Sequence, residues 1–179
     1  MDNKTSLLSA KLDVGLSRYK ITKFYGDMNN LKTMKDYFDK FYPLYYAQKF
    51  KTWINEIIPG KFDYIGKDEP RLVIPFLDQY GNCFGVSARG FNPDGIRYIT
   101  IMFEDRPKIF GLDKVDQTQI YYIVEGAIDS FFLSNAISMN GAEGNSNSAN
   151  DNAVYVFDAE PRNKEICNRM EKVIKNGHK

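Results

Sequence analysis

The spacing of apolar residues changes character twice along the chain. From Asn29 to Phe41, Leu31, Met34, Tyr37, Phe38 and Phe41 recur at helical intervals and predict an amphipathic helix. Pro43 interrupts it. A second helical segment is predicted over 44–57, carrying Leu44, Tyr45, Phe50, Trp53, Ile54 and Ile57 and stopping at Pro59-Gly60. Residues 1 to about 27 are weakly patterned, and "GLSRYKITKFYG" reads as a short strand or an extended arm. After residue 62 the period shortens. "RLVIPFLDQYGNCFGVSARGF" predicts two strands around a glycine-containing turn at Asp78 to Asn82, and "IRYITIMF" (96–103) predicts a third.

From Gln119 the pattern changes again. "IYYIV" is a continuous apolar run, as expected of a strand buried on both faces. Residues 127–137, "AIDSFFLSNAI", fit a helix, and the polar "MNGAEGNSNSANDN" fits a loop. "AVYVF" predicts another buried strand, and "PRNKEICNRMEKVIKN" a helix with Pro161 in its first turn. Strand-helix-strand-helix is the mark of a parallel α/β unit. The predicted fold class is therefore α+β followed by α/β: an N-terminal helical and antiparallel-hairpin subdomain packed on a parallel βαβα unit. The predicted boundaries are 1–60, 61–116 and 117–179. No internal repeat is present.

Composition narrows the chemistry. The chain has 179 residues, enough for one sizeable core or two small ones, and a net charge of +1. No bulk electrostatic case for a nucleic-acid partner exists, so any basic surface must be local. Cys83 and Cys167 are the only cysteines and His178 the only histidine. This chain alone cannot build a Cys/His zinc site, and neither a Ser-His-Asp nor a Cys-His catalytic set is available. No apolar run approaches the roughly 18 residues of a membrane span, and the N-terminus has no signal-peptide core. The expectation is an intracellular protein without a membrane partner. Catalysis, if present, falls to carboxylates, Lys/Arg and a hard cation.

The carboxylates are placed for that role. Glu125 and Asp158 each follow an apolar strand directly. In open parallel sheets, ligands bind beyond the carboxyl ends of the strands. If the two strands are neighbours, about 4.8 Å apart, Glu125 and Asp158 could hold a Mg²⁺ between them, with Glu160 adding a further oxygen. Asp129, one helical turn beyond Glu125, faces the same rim. An acid at a helix N-terminus is also favoured by the macrodipole with no further role. For Asp129 that reading stands beside the functional one; for Glu125 and Asp158 together the functional one is preferred. A nucleotide-binding reading of "VYVFDAE" fails, because no GxxxxGK[ST] loop occurs in the chain.

"VEGAIDSFFL" followed by "FDAEPRNKE" resembles the two acidic motifs of the TOPRIM superfamily, with Glu160 where an Asp is usual. Upstream, "EPRLVIPFLDQYGNCFGVSARGF" resembles the hairpin that precedes TOPRIM in bacterial-type (DnaG-like) primases, matching at Arg71, Ile74-Pro75, Asp78, Gly81, Gly85 and Arg89. "IRYITI" and "PKIFGLDKV" are similar to later segments of that family, with Arg97 and Lys108 at or near basic positions. The likeness covers about residues 60–176 and is greatest to the DNA primases of large tailed bacteriophages.

The resemblance implies synthesis of short RNA primers on a single-stranded DNA template from ribonucleoside triphosphates. Mg²⁺ or Mn²⁺ would be held by Glu125, Asp158 and Glu160, with Asp129 in support. Arg71, Arg89, Arg97 and Lys108 would contact template or nucleotide. It further implies a replicative helicase as partner, by a region absent here, and the cytoplasm of an infected bacterial host. The family's zinc module and C-terminal part have no counterpart in these 179 residues, so the expectation is a fragment of a longer primase, or a primase whose remaining parts lie on other chains. A TOPRIM metal-dependent nuclease and a non-catalytic nucleic-acid-binding module are the alternatives.

Overall fold

The computed structural model describes residues 44–139 and 150–179, together with the short strand Ser17–Arg18. The helix expected over 29–41 and most of the polar loop after Met139 lie outside the described residues. The elements are β1 (Ser17–Arg18), β2 (Tyr45–Ala47), α1 (Phe50–Ile57), β3 (Arg71–Leu77), β4 (Cys83–Gly90), β5 (Tyr98–Met102), β6 (Tyr121–Val124), α2 (Ala127–Ser130), β7 (Ala136–Ser138), β8 (Ala153–Val156) and α3 (Lys164–Lys175). They fall into two compact units. One takes the described residues up to Pro75 with Asn82–Glu104; the other takes Phe76–Gly81 with Asp105–Lys179.

The first unit is built on a five-stranded sheet of order β1-β2-β3-β4-β5. β1 pairs antiparallel with β2 (Ser17 opposite Tyr46), β2 with β3 (Tyr45 opposite Val73), and β4 with β5 (Arg89 opposite Tyr98). The turn after β3 closes where Gly81 N–H donates to the Asp78 carbonyl at 2.9 Å, as the glycine-containing turn in the sequence predicted. Val73, Ile74, Phe84, Val86 and Ala88 are fully buried, as are Phe50 and Ile54 of α1. Each large apolar side chain removed from water contributes roughly 1.5–3 kcal/mol.

The helix expected over 44–57 begins only at Phe50. Tyr45 and Ala47 are buried while Tyr46 is less so, a period of two, and this segment pairs with β3. Sheet pairing outcompetes helix propensity there.

The second unit carries a three-stranded parallel sheet of order β7-β6-β8. Tyr121, Ile123, Ile137 and Ala153 form a buried cluster, with Ile109, Val115, Met139 and Tyr155 packed against it. A helix over 127–137 was expected; α2 ends at Ser130, and Ala136–Ser138 form a third strand. Asn135 explains the break. Its side-chain amide donates to the carbonyls of Asp116 and Ile120, and its oxygen accepts from Asp116 N–H, all at 2.9 Å. Beyond it, Phe110 and Ser138 exchange two backbone hydrogen bonds. The βαβα unit is thus a three-stranded one.

Pro161 was placed in the first turn of the last helix; it precedes that helix. Asn163 is the N-cap of α3, accepting from Glu165 N–H at 3.1 Å.

Candidate active site

β6 and β8 are neighbours, with Val124 opposite Val156 in parallel register. Glu125 follows the last residue of β6, and Asp158 comes two residues after β8. The carboxyl edge of the sheet therefore collects both acids, as their positions after apolar runs predicted. Asp158 and Glu160 are exposed, whereas the Glu125 side chain is only 24% exposed. Burial first, and then the Asp158 carboxylate, push the Glu125 carboxyl above the ordinary glutamate range. Glu160 and Glu165 add to this, and Arg169 opposes it.

The Glu125 Oε1 atom is buried and has no hydrogen-bond partner among the described residues. The Arg169 guanidinium stands 3.6 Å away, close enough for charge but not for a hydrogen bond. Glu160 is turned toward α3, where Asn163 Nδ2 donates to its Oε2 at 2.8 Å. A tight backbone contact, Glu160 N–H to Asp158 carbonyl at 2.7 Å, sets the two acids on one turn.

Among the described residues, no three His, Cys, Asp or Glu side chains converge into a ready metal cage. Glu125 leans toward Arg169 and Glu160 toward Asn163, so the three acids do not point at one centre. The donor set nonetheless suits a hard cation: all-oxygen, anionic, and holding one buried oxygen without a donor.

Asp129 is exposed in the first turn of α2. Its Oδ2 lies over Gly126, where a Cβ would meet it at 2.5 Å. Gly126 has φ −111 and ψ 146, an extended conformation open to any residue. Its glycine serves the close approach of Asp129 and not a special turn.

The basic residues divide. Arg71 is 4% exposed, and its Nη1 donates to the carbonyls of Ala88 (3.2 Å) and Ile96 (2.9 Å), tying β3 to β4 and to the loop before β5. Burial lowers its pKa, with Glu69 and Asp68 opposing. Arg89 and Arg97 both lie against the Tyr98 ring, at 5.3 and 5.8 Å from its centroid, and Arg89 Nη1 also donates to the Tyr98 hydroxyl. Tyr98 is itself 38% exposed. Lys108 is exposed in the second unit.

Three contributors escaped the sequence reading: Arg169, Asn163 and Tyr98. Only Arg169 carried a local signal, its i,i+4 spacing from Glu165 on a helix. A groove in the second unit, lined in part by Asp78, Tyr80, Arg106, Asp113 and Asp116, contains none of the anticipated site residues.

No protein-family model matches the chain. A DNA primase of Enterobacteria phage T4 is 32% identical over 147 residues. The chain is a relative of the DNA primases. That match takes in 79% of this chain and 42% of the T4 primase, so the chain spans less than half of its relative's length. The fold agrees. A DNA primase domain from Pseudomonas aeruginosa superposes with TM-score 0.64 at 16% identity, over 97% of this chain and 67% of that one. A DnaG primase catalytic domain bound to single-stranded DNA superposes with TM-score 0.54 at 15% identity, over 92% and 65%. The combination of an antiparallel and a parallel sheet is thus shared with primase catalytic cores.

Proposed function

We propose that the chain forms part of the RNA-polymerase core of a DNA primase, with a TOPRIM-type acidic site in its parallel-sheet unit. The observation that carries this is the placement of Glu125 and Asp158 at the carboxyl edge of adjacent parallel strands, in a chain related to a phage primase. The reaction joins a ribonucleotide to a primer 3′-oxygen and releases pyrophosphate. A divalent cation, Mg²⁺ or Mn²⁺, would neutralise charge developing on the transferred phosphoryl group. Glu125 and Asp158 would hold it, with Glu160 joining once its carboxylate leaves Asn163. Asp129 stands at the same rim, where Gly126 gives its carboxylate room. No histidine or cysteine is needed, because the nucleophile comes from the substrate.

Arg89, Arg97 and Lys108 would meet template or triphosphate through their charge. Tyr98 packs against the first two and, being partly exposed, could add an aromatic contact to a base. Arg71 braces the backbone beside Arg89 and Arg97 through its bonds to Ala88 and Ile96.

The test is primer synthesis from ribonucleoside triphosphates on single-stranded DNA with Mg²⁺ or Mn²⁺, by the longest natural chain that contains these residues. Synthesis that is lost in Glu125→Gln and Asp158→Asn supports the reading. Synthesis that survives both substitutions sinks it. Metal-dependent cleavage of DNA without synthesis would point instead to a nuclease using the same acids.

A further inference from the structure

Arg169 projects from α3 between two carboxylates. Its Nη2 donates to Glu165 Oε1 at 2.5 Å, one helical turn back, while its Nη1 stands 3.6 Å from Glu125 Oε1. The guanidinium is therefore tethered to an exposed acid and rests electrostatically against the buried oxygen of a half-buried one. The Glu165 side chain is 73% exposed and that of Glu125 24%. Glu125 Oε1 takes no hydrogen bond among the described residues, so the Arg169 charge, 3.6 Å away, is what compensates it. A buried carboxylate oxygen without a donor is costly, and a nearby positive charge offsets part of that cost.

We propose that Arg169 is a built-in counter-ion for the acidic edge, which balances Glu125 when no divalent cation is present and is drawn aside by its Glu165 tether when one binds. This rests on the metal reading of Glu125 and Asp158 given above. Arg169 is a positioning residue and touches no reacting atom. Its charge opposes an incoming cation, because a guanidinium within about 4 Å of a shared carboxylate repels what that carboxylate would bind. The tether sets the balance. With Glu165 in place the guanidinium has an alternative partner already in contact; without it, Glu125 is the partner left nearby.

Mn²⁺ alone serves as the probe, titrated calorimetrically into the full chain, with melting temperature followed in parallel. Arg169→Gln is expected to bind Mn²⁺ about five- to tenfold tighter than the unmodified chain while melting lower in chelator. Glu165→Gln is expected to bind about threefold weaker, and that loss should vanish in the Arg169→Gln background, as a double-mutant cycle reads it. Arg169→Lys, which keeps the charge, should stay within about twofold of the unmodified chain, and decides the matter with Glu165→Gln if Arg169→Gln does not fold. Equal or weaker binding by Arg169→Gln, or a Glu165→Gln effect that persists without Arg169, overturns the counter-ion role alone. If the unmodified chain takes up no Mn²⁺, or Glu125→Gln binds it as well, the metal reading falls, and the counter-ion role falls with it.

Discussion

Arg71 shows how one residue can look like a ligand contact in sequence and carry the fold in structure. An arginine at the start of an apolar run has the appearance of a strand-edge charge. Here its guanidinium is buried and satisfies two backbone carbonyls, those of Ala88 and Ile96. Arg71→Met keeps the aliphatic stem and removes both bonds, leaving the carbonyls without that donor. The expected loss is about 2 kcal/mol in urea unfolding. A variant as stable as the parent would show that water replaces the guanidinium. Gly126 makes a complementary point. The space a Cβ would occupy there is taken by Asp129 Oδ2. In Gly126→Ala the Asp129 carboxylate must swing away, which a flexible side chain does cheaply. Stability should therefore change by less than about 1 kcal/mol, while any Asp129-dependent part of metal binding or primer synthesis should be lost. If synthesis is untouched by Gly126→Ala and by Asp129→Asn alike, Asp129 has only a helix-terminus role.

At the scale of elements, strands were more legible than helices. Continuous apolar runs and a glycine-containing turn located β3, β4, β5, β6 and β8 to within a few residues. Short helices were misjudged where a distant partner decides the outcome. Tyr45–Ala47 became a strand because β3 supplies its hydrogen bonds, and α2 stops early because Asn135 is pinned by residues 15 and 19 positions before it. The start of α1 is decided the same way. Lys49 makes no side-chain cap; Asp68 caps the helix from 17 residues away, accepting from Lys51 N–H (2.8 Å), Thr52 N–H (2.9 Å) and Thr52 Oγ1 (2.8 Å). Burial alone would raise the Asp68 pKa, but the hydrogen bonds from Thr52 and Lys51, with the Lys51 charge, outweigh it and hold the carboxyl below its usual value. A lowered folded-state pKa means stabilisation that is complete above the unfolded value and lost as pH falls through the folded one. Asp68→Ala is accordingly expected to cost about 1 kcal/mol at neutral pH. The gap between parent and variant should narrow as the pH drops below about 4. A gap that is constant from pH 7 to pH 3 would mean that the charge of Asp68 plays no part.

For the whole molecule, the two acids were legible because strand ends follow from pattern, whereas the adjacency of their strands, a condition of that reading, and their local partners come from the structure. Nothing in the spacing of apolar residues says that Glu125 will face Arg169 or that Asn163 will hold Glu160. Charge is the property that belongs to this scale. With 24 Lys and Arg against 23 Asp and Glu, the net charge of +1 provides no general attraction for a polyanion. If the chain grips single-stranded DNA through Arg89, Arg97 and Lys108, affinity must come from few contacts, and its salt dependence must be shallow. Three phosphates neutralised on a single strand give a slope of log K against log salt of about −2, at about −0.7 for each. Arg89→Gln and Arg97→Gln should each weaken binding and flatten that slope by about 0.7. Part of the weakening in Arg97→Gln is direct, since its contact with Tyr98 is a ring contact alone; Arg89→Gln also removes a hydrogen bond to the Tyr98 hydroxyl. Tyr98→Phe, which keeps the ring and deletes that bond, should leave the slope unchanged while lowering affinity only slightly. Fluorescence anisotropy of a labelled oligonucleotide across a salt series measures all four slopes. A slope that stays fixed when either arginine is replaced would remove that arginine from the nucleic-acid surface, however well its sequence position matches a primase.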